Sequence, residues 1–161
     1  MRGTPSHYML LPIYDRAREI VAFASVDEPD YQRVRSHRWC QDKNGYPVRQ
    51  WHGGRSFLHW EVAKPPEGFE VDHINRKTKD ARRQNLRVCT HAQNHQNKGS
   101  YPGSLSRYRG VTFDVSREKW VAKHKLYGRT HNLGRFENEV EAAEAAAAFR
   151  AEHMPFSAEG R

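Results

Sequence analysis

Asp72 and His73 stand side by side after an apolar residue, Asn85 follows twelve positions later, and Asn94 and His95 come soon after Thr90. A carboxylate, an imidazole and side-chain amides in one short stretch could hydrolyse a phosphodiester. That reaction needs a base of near-neutral pKa to activate water, and histidine supplies one. It also needs a hard divalent cation to neutralise the scissile phosphate and the leaving oxygen. Mg²⁺ takes oxygen ligands at about 2.0–2.1 Å and keeps several waters, so one carboxylate and one amide oxygen suffice to hold it. Asp72 and Asn94 offer that pair, and His73 offers the base. His95 is a rival ligand. Neighbouring helix residues diverge by about 100°, so only one of the two faces the metal, and the spacing from Asp72 selects Asn94.

These side chains need elements to carry them. Residues 71–75 read as the end of one strand, Asn85-Leu86-Arg87-Val88 as a second, and 91–98 as a helix capped by Thr90, which makes a ββα unit over 70–98. Adjacent strand residues point to opposite faces. Asp72 and His73 can therefore serve metal and water separately only if the strand bends or ends there.

The rest of the chain reads as support. Residues 20–26 are apolar and rich in strand formers, and Asp27 offers a cap for a brief helix over 31–36. Asn44-Gly45 and His52-Gly53-Gly54 are hairpin signals in a β-rich lead-in over 1–64, closed by Pro65-Pro66. Ser100-Tyr101-Pro102-Gly103-Ser104 reads as a linker or turn. Beyond it, alternating segments at 108–115, 120–126 and 130–136 precede an Ala- and Glu-rich helix at 137–152. The expected fold class is α+β. A unit over 1–100 holds the ββα core, and a three-stranded antiparallel sheet packed on one helix fills 104–156. In the second strand, alternation puts Trp120, Ala122 and His124 on one face and Lys119, Val121, Lys123 and Lys125 on the other.

Charge narrows the function class. The net charge of the 161 residues is +8, and it is unevenly placed: seven basic residues face two acidic ones over 72–103, and eight face two over 104–135. Positive charge concentrated in this way favours a polyanionic partner. The two cysteines, Cys40 and Cys89, form no C-x-x-C pair, which excludes the usual structural zinc site and favours free thiols in a reducing compartment. No run approaches the ~18 apolar residues of a membrane span, so the chain reads as soluble and intracellular.

The stretch VDHINRKTKDARRQNLRVCTHAQNHQNK resembles the HNH motif of phage and intron homing endonucleases. The resemblance implies a metal-dependent DNA endonuclease in which Asp72 and Asn94 hold the metal, Mg²⁺ first and Mn²⁺ as the alternative. It makes His73 the general base and Asn85 the brace of the loop that holds it. Arg87, Asn97 and Lys98 become DNA contacts. The implied setting is the cytoplasm of a bacterial host, with the gene carried by a phage or mobile element. Tyr108-Arg109-Gly110-Val111, Lys119-Trp120-Val121-Ala122, Leu133-Gly134-Arg135-Phe136 and Glu141-Ala142-Ala143 are similar to the Apetala/ethylene-response-factor domain, whose sheet docks in the DNA major groove. Asp114 falls at a matching position, and the likeness implies double-stranded DNA contacts at Arg109, Gly110, Thr112, Lys119, Lys123, Lys125, Thr130, Asn132 and Arg135. One site per chain implies nicking by a monomer, a double-strand break requiring a dimer or two events. The rival readings are a DNA-binding regulator with a silent nuclease module and a nuclease of restriction or phage DNA processing.

Overall fold

Two apolar runs near the start of the chain pair as antiparallel strands, β1 (Tyr8–Tyr14) and β2 (Ile20–Asp27), with Leu11 opposite Ala24 and Ile13 opposite Ala22. Leu11, Ile13, Ala24 and Val26 are buried while Leu10 and Phe23 are exposed, the period-two pattern of strands with one wet face. The computed structural model describes residues 7–99 and 103–157. Ser100, Tyr101 and Pro102 of the expected linker lie outside the described residues. The chain divides into two compact units, Met1–His91 and Ala92–Arg161.

In the first unit, α1 (Glu28–Val34) starts earlier than expected, because Pro29 is tolerated in a first helical turn, where its missing N–H is not needed. Asp27 sits at the cap position without capping; its carboxylate accepts from the Arg83 backbone N–H at 2.8 Å. Then β3 (Trp39–Gln41), β4 (Pro47–Trp51) and β5 (Gly54–Phe57) form the two expected hairpins. Gly45 has φ +84°, the left-handed conformation its turn requires. β3 lies parallel to β1, which completes a five-stranded sheet of order β2-β1-β3-β4-β5. A helix with no counterpart in the sequence reading, α2 (Leu58–Ala63), follows directly. The core gathers Leu11, Ile13, Val26, Val34, Trp39, Leu58, Val62 and Ala81, and the Trp39 indole N–H donates to the Val34 carbonyl at 2.9 Å.

β6 (Glu70–His73) and β7 (Leu86–Cys89) form a separate antiparallel pair, and α3 (His91–Gln96) begins directly after Thr90. The ββα order is the expected one. The loop between the strands is pinned to the sheet: Ser25 N–H donates to Lys79 O at 2.8 Å and Ala81 N–H to Ser25 O at 2.9 Å.

The second unit has an antiparallel sheet of order β10-β9-β8, made of β8 (Val111–Asp114), β9 (Lys119–Leu126) and β10 (Arg129–Phe136). Across it packs α4 (Glu139–His153), whose Asn138 side chain caps the Glu141 N–H. Ala122, Ala142, Ala143 and Ala146 are buried with Val111, so small side chains let helix and sheet approach closely. The fold is α+β. No helix among the described residues is long and apolar enough to cross a membrane.

Candidate active site and nucleic-acid surface

β6 ends at His73, which meets the condition that lets Asp72 and His73 do different work. In register, Asp72 faces Arg87 and His73 faces Leu86. The Asp72 Oδ2 accepts from Arg87 Nε at 2.8 Å and Nη2 at 2.5 Å. Arg87, expected at DNA, is thus engaged with the candidate metal-binding carboxylate. Charge-assisted, two-pronged bonds of this kind fix a carboxylate's direction.

His73 is buried. Burial pushes its pKa down to about 4, against the opposing pull of the Asp72 and Asp80 carboxylates. Burial thus favours the neutral form of the ring. Its ring meets His59 of α2 edge-on, with centroids 4.7 Å apart, and Tyr46 lies 5.4 Å from His59 and 5.9 Å from His73. Burial also pushes His59 down, to about 3, with the neighbouring His73 adding to the effect. The His59 Nδ1 is enclosed without a hydrogen-bond partner. Sequence reasoning assigns His59 and Tyr46 no role. The one available signal is a histidine just ahead of the motif, and its meaning depends on a helix that the sequence does not announce.

The loop over residues 74–85 is tied at both ends and in the middle. Asn85 accepts from Asn75 N–H at 3.0 Å through Oδ1 and donates to Asp80 O at 2.7 Å through Nδ2. Its own carbonyl accepts from Ile74 N–H at 2.8 Å. Asp80 takes both nitrogens of Arg82 at 2.7 Å and Asn75 Nδ2 at 2.9 Å. The Arg82 hydrogen bonds, outweighing burial, hold its carboxyl below the usual range. Arg83 reaches back to buried Asp30 at 2.6 and 2.9 Å. Burial pushes Asp30 up, but Arg83 and Arg33 together hold it low.

At the start of α3, His91 Nδ1 lies 2.6 Å from Glu70 Oε1. Asn94 is half-buried and His95 exposed, with His95 Nε2 3.1 Å from Lys98 Nζ. Asn97, expected to touch DNA, is buried. Asp72, His73 and Asn85 belong to the first unit and Asn94 to the second. Among the described residues, no group of three or more His, Cys, Asp or Glu side chains gathers as a metal cluster.

On the outer face of the second unit's sheet, Lys123 pairs with Asn132 and Lys125 with Thr130, and all four are exposed. Thr112 and Arg135 flank them opposite Val121. Lys119 is bonded to Glu137, and Asp114 is held by Ser116 at 2.7 Å and Arg117 at 3.3 Å. A cleft of about 590 Å³ in this unit is lined by His95, Lys98, Lys123, Lys125 and Thr130 among others. Arg109 and Gly110 are occupied internally. The Arg109 guanidinium donates to the backbone carbonyls of His95 and Gln96. Gly110 has φ +83°, and a Cβ there would lie 2.4 Å from His124 Nε2.

The family model for HNH endonucleases matches residues 58–96, which span α2, the β6–β7 pair and α3. A protein of Acanthamoeba polyphaga mimivirus named an uncharacterized HNH endonuclease is 30% identical over 135 residues, covering 80% of this chain and 68% of its own. No solved structure matches the chain at a significant level. The viral likeness extends well beyond the residues that the family model matches. The chain belongs to the HNH endonuclease family, and it is an enzyme, a phosphodiester hydrolase.

Proposed function

We propose that this protein is a metal-dependent DNA endonuclease of the homing type, one that nicks a single strand per active site. The observation that carries the reading is His73, a buried imidazole at the end of β6 beside Asp72, whose carboxylate is gripped by two nitrogens of Arg87. As a neutral base His73 accepts the proton of the attacking water, and Asn85 keeps the following loop, and so the strand end, in place. Asp72 and Asn94 would hold the metal. Their oxygen donors suit a hard, water-retaining cation such as Mg²⁺ or Mn²⁺ and not the nitrogen- and sulfur-rich ligand sets of zinc. When bound, such a cation stabilises charge on the scissile phosphate and the leaving oxygen. The exposed row of Lys123, Lys125, Thr130 and Asn132 would dock on duplex DNA in the manner of the sheet domains that the sequence resembles. Lysines there supply phosphate contacts, and Asn132 is suited to a base edge.

The test is a supercoiled-plasmid assay. Conversion to the open-circular form with Mg²⁺, and none with EDTA, is expected. Linearisation in a single encounter would overturn the nicking reading, and equal cutting in EDTA would overturn the metal.

A further inference from the structure

A six-residue helix has no stability of its own, because nucleation costs more than so few hydrogen bonds return. α3, which carries Asn94, is such a helix, so something must hold it. Its last carbonyls lack the full set of intrahelical partners, although Asn97 N–H reaches Asn94 O at 3.1 Å and Lys98 N–H reaches His95 O at 3.5 Å. Arg109, on the segment leading into β8, supplies one to each of two: Nη1 donates to Gln96 O, and Nη2 to His95 O at 2.9 Å. Gln96 itself is buried, and its Oε1 accepts from the Phe156 backbone N–H at 3.3 Å, just beyond α4.

Arg109 is in turn fixed from behind. Its carbonyl accepts from Arg150 Nη1 of α4 at 2.7 Å, and the same Nη1 meets His124 Nε2 of β9 at 3.0 Å. Arginine only donates, so that imidazole nitrogen must be the acceptor. Arg150 and His124 are both buried. Gly110 lets the chain lie against His124 where no side chain would fit, and its carbonyl accepts from Lys123 N–H at 2.8 Å. A buried guanidinium is costly unless hydrogen-bonded; Nη1 makes these two contacts, while the Arg150 Nε is enclosed without a hydrogen-bond partner among the described residues.

From this geometry we infer that Arg109 is a positioning residue for the helix that bears Asn94. The second unit's sheet-and-helix assembly therefore supports the helix of Asn94 as well as carrying the exposed lysine row. The inference rests on the reading of Asn94 as a metal ligand. It also changes the meaning of Arg109, which the sequence assigns to DNA.

The experiment uses the full chain with Arg109→Ala and Arg109→Lys. Three quantities are read: the Mg²⁺ concentration at half-maximal nicking, duplex affinity over a range of salt, and hydrogen exchange of the amides from Ala92 to Lys98. Arg109→Ala is expected to raise the Mg²⁺ midpoint about tenfold, the low end of the cost of removing a partner that orients a ligand. α3 exchange should rise by a similar factor, with the salt slope unchanged. Arg109→Lys, with one ammonium in place of a two-pronged fork, should fall between Arg109→Ala and the wild type. If Arg109→Ala does not fold, the Lys variant decides alone. A salt slope shallower by about 0.9, the signature of one phosphate left without its cation, with midpoint and exchange unmoved would overturn the inference. A wild-type protein that fails to nick would sink the proposed function only, since the exchange measurement still decides whether Arg109 holds α3.

Discussion

The β6–β7 region and the outer sheet face of the second unit are both rich in basic residues, and they hold that charge in opposite ways. Around the hairpin, Arg82, Arg83 and Arg87 are each bonded to a carboxylate: Asp80, Asp30 and Asp72. On the sheet, Lys123 and Lys125 are exposed and make no ion pair among the described residues. A net charge therefore says little about where a polyanion binds. Part of the excess counted over 72–103 is neutralised by acidic residues such as Asp30, outside that window, and serves to fix the chemical site. The excess over 104–135 includes charge that faces water. One region ties its charges to carboxylates, and the other leaves them facing water.

The sharpest way to test that division is His73→Ala. Nicking should fall by about 10²–10⁴, the usual worth of a general base, while duplex affinity and its salt dependence stay as in the wild type. A variant whose affinity fell in parallel with its rate would erase the distinction between the two regions.

Next in size is the pH dependence of stability. His59 and His73 have folded pKa values of about 3 and about 4, both below the ordinary 6.5. Below pH 6.5 the unfolded chain takes up protons that the folded chain refuses. Stability is therefore full above about pH 6.5 and falls as the pH drops toward 4. Each histidine contributes at most about 1.4 kcal/mol per pH unit. His59→Phe, which keeps a ring in the cluster with Tyr46 and Phe57, should remove roughly half of this acid sensitivity in thermal melts from pH 7 to 4.5. An unchanged slope would mean that the ring pair is not the source.

Smaller again is the effect of replacing Lys123 and Lys125 together with alanine. The slope of log K against log salt should fall by about 0.9 for each phosphate that is no longer neutralised, with the rate on saturating DNA unchanged. Asn132→Ala should leave the slope alone and cost about 1–3 kcal/mol of discrimination between target and scrambled duplex. Binding titrations at several salt concentrations distinguish these outcomes. An unaltered slope in the double variant would return the sheet face to a merely solvated surface.

What the sequence revealed followed the range of the interactions involved. Strand alternation separated Lys123 and Lys125 from Ala122 and His124 correctly, because a two-residue period needs only neighbours. The ββα order and α4 were legible for the same reason, helped by Thr90 and Asn138 near the helix starts. α2 was not. It is six residues long, its cap is Phe57 with no side-chain bond, and it ends at Lys64 in a left-handed conformation where glycine would have been the cue. The parallel pairing of β1 with β3 was not legible either, since its partners Ile13–Trp39 and Tyr14–Cys40 lie twenty-six residues apart. The site divides likewise. Asp72, His73, Asn85 and Asn94 could be picked out by type and spacing. The His59 ring contact, the burial of Asn97 and the Arg109 bonds arise from contacts distant in sequence, which leave no local pattern.

The pinned loop has a consequence for how the protein meets proteases. Residues 74–85 contain Arg76, Lys77, Lys79, Arg82 and Arg83, five bonds that trypsin would cut in an extended chain. Yet Lys79 and Ala81 are hydrogen-bonded to β2, and the Ala81 side chain is part of the main core. A protease needs several residues of free backbone, and around Lys79 it gains them only by breaking the bridge to Ser25 and drawing Ala81 out of the core. Cleavage at Lys79 should therefore track the opening of that bridge, and cleavage at exposed Arg76 and Lys77 should come first.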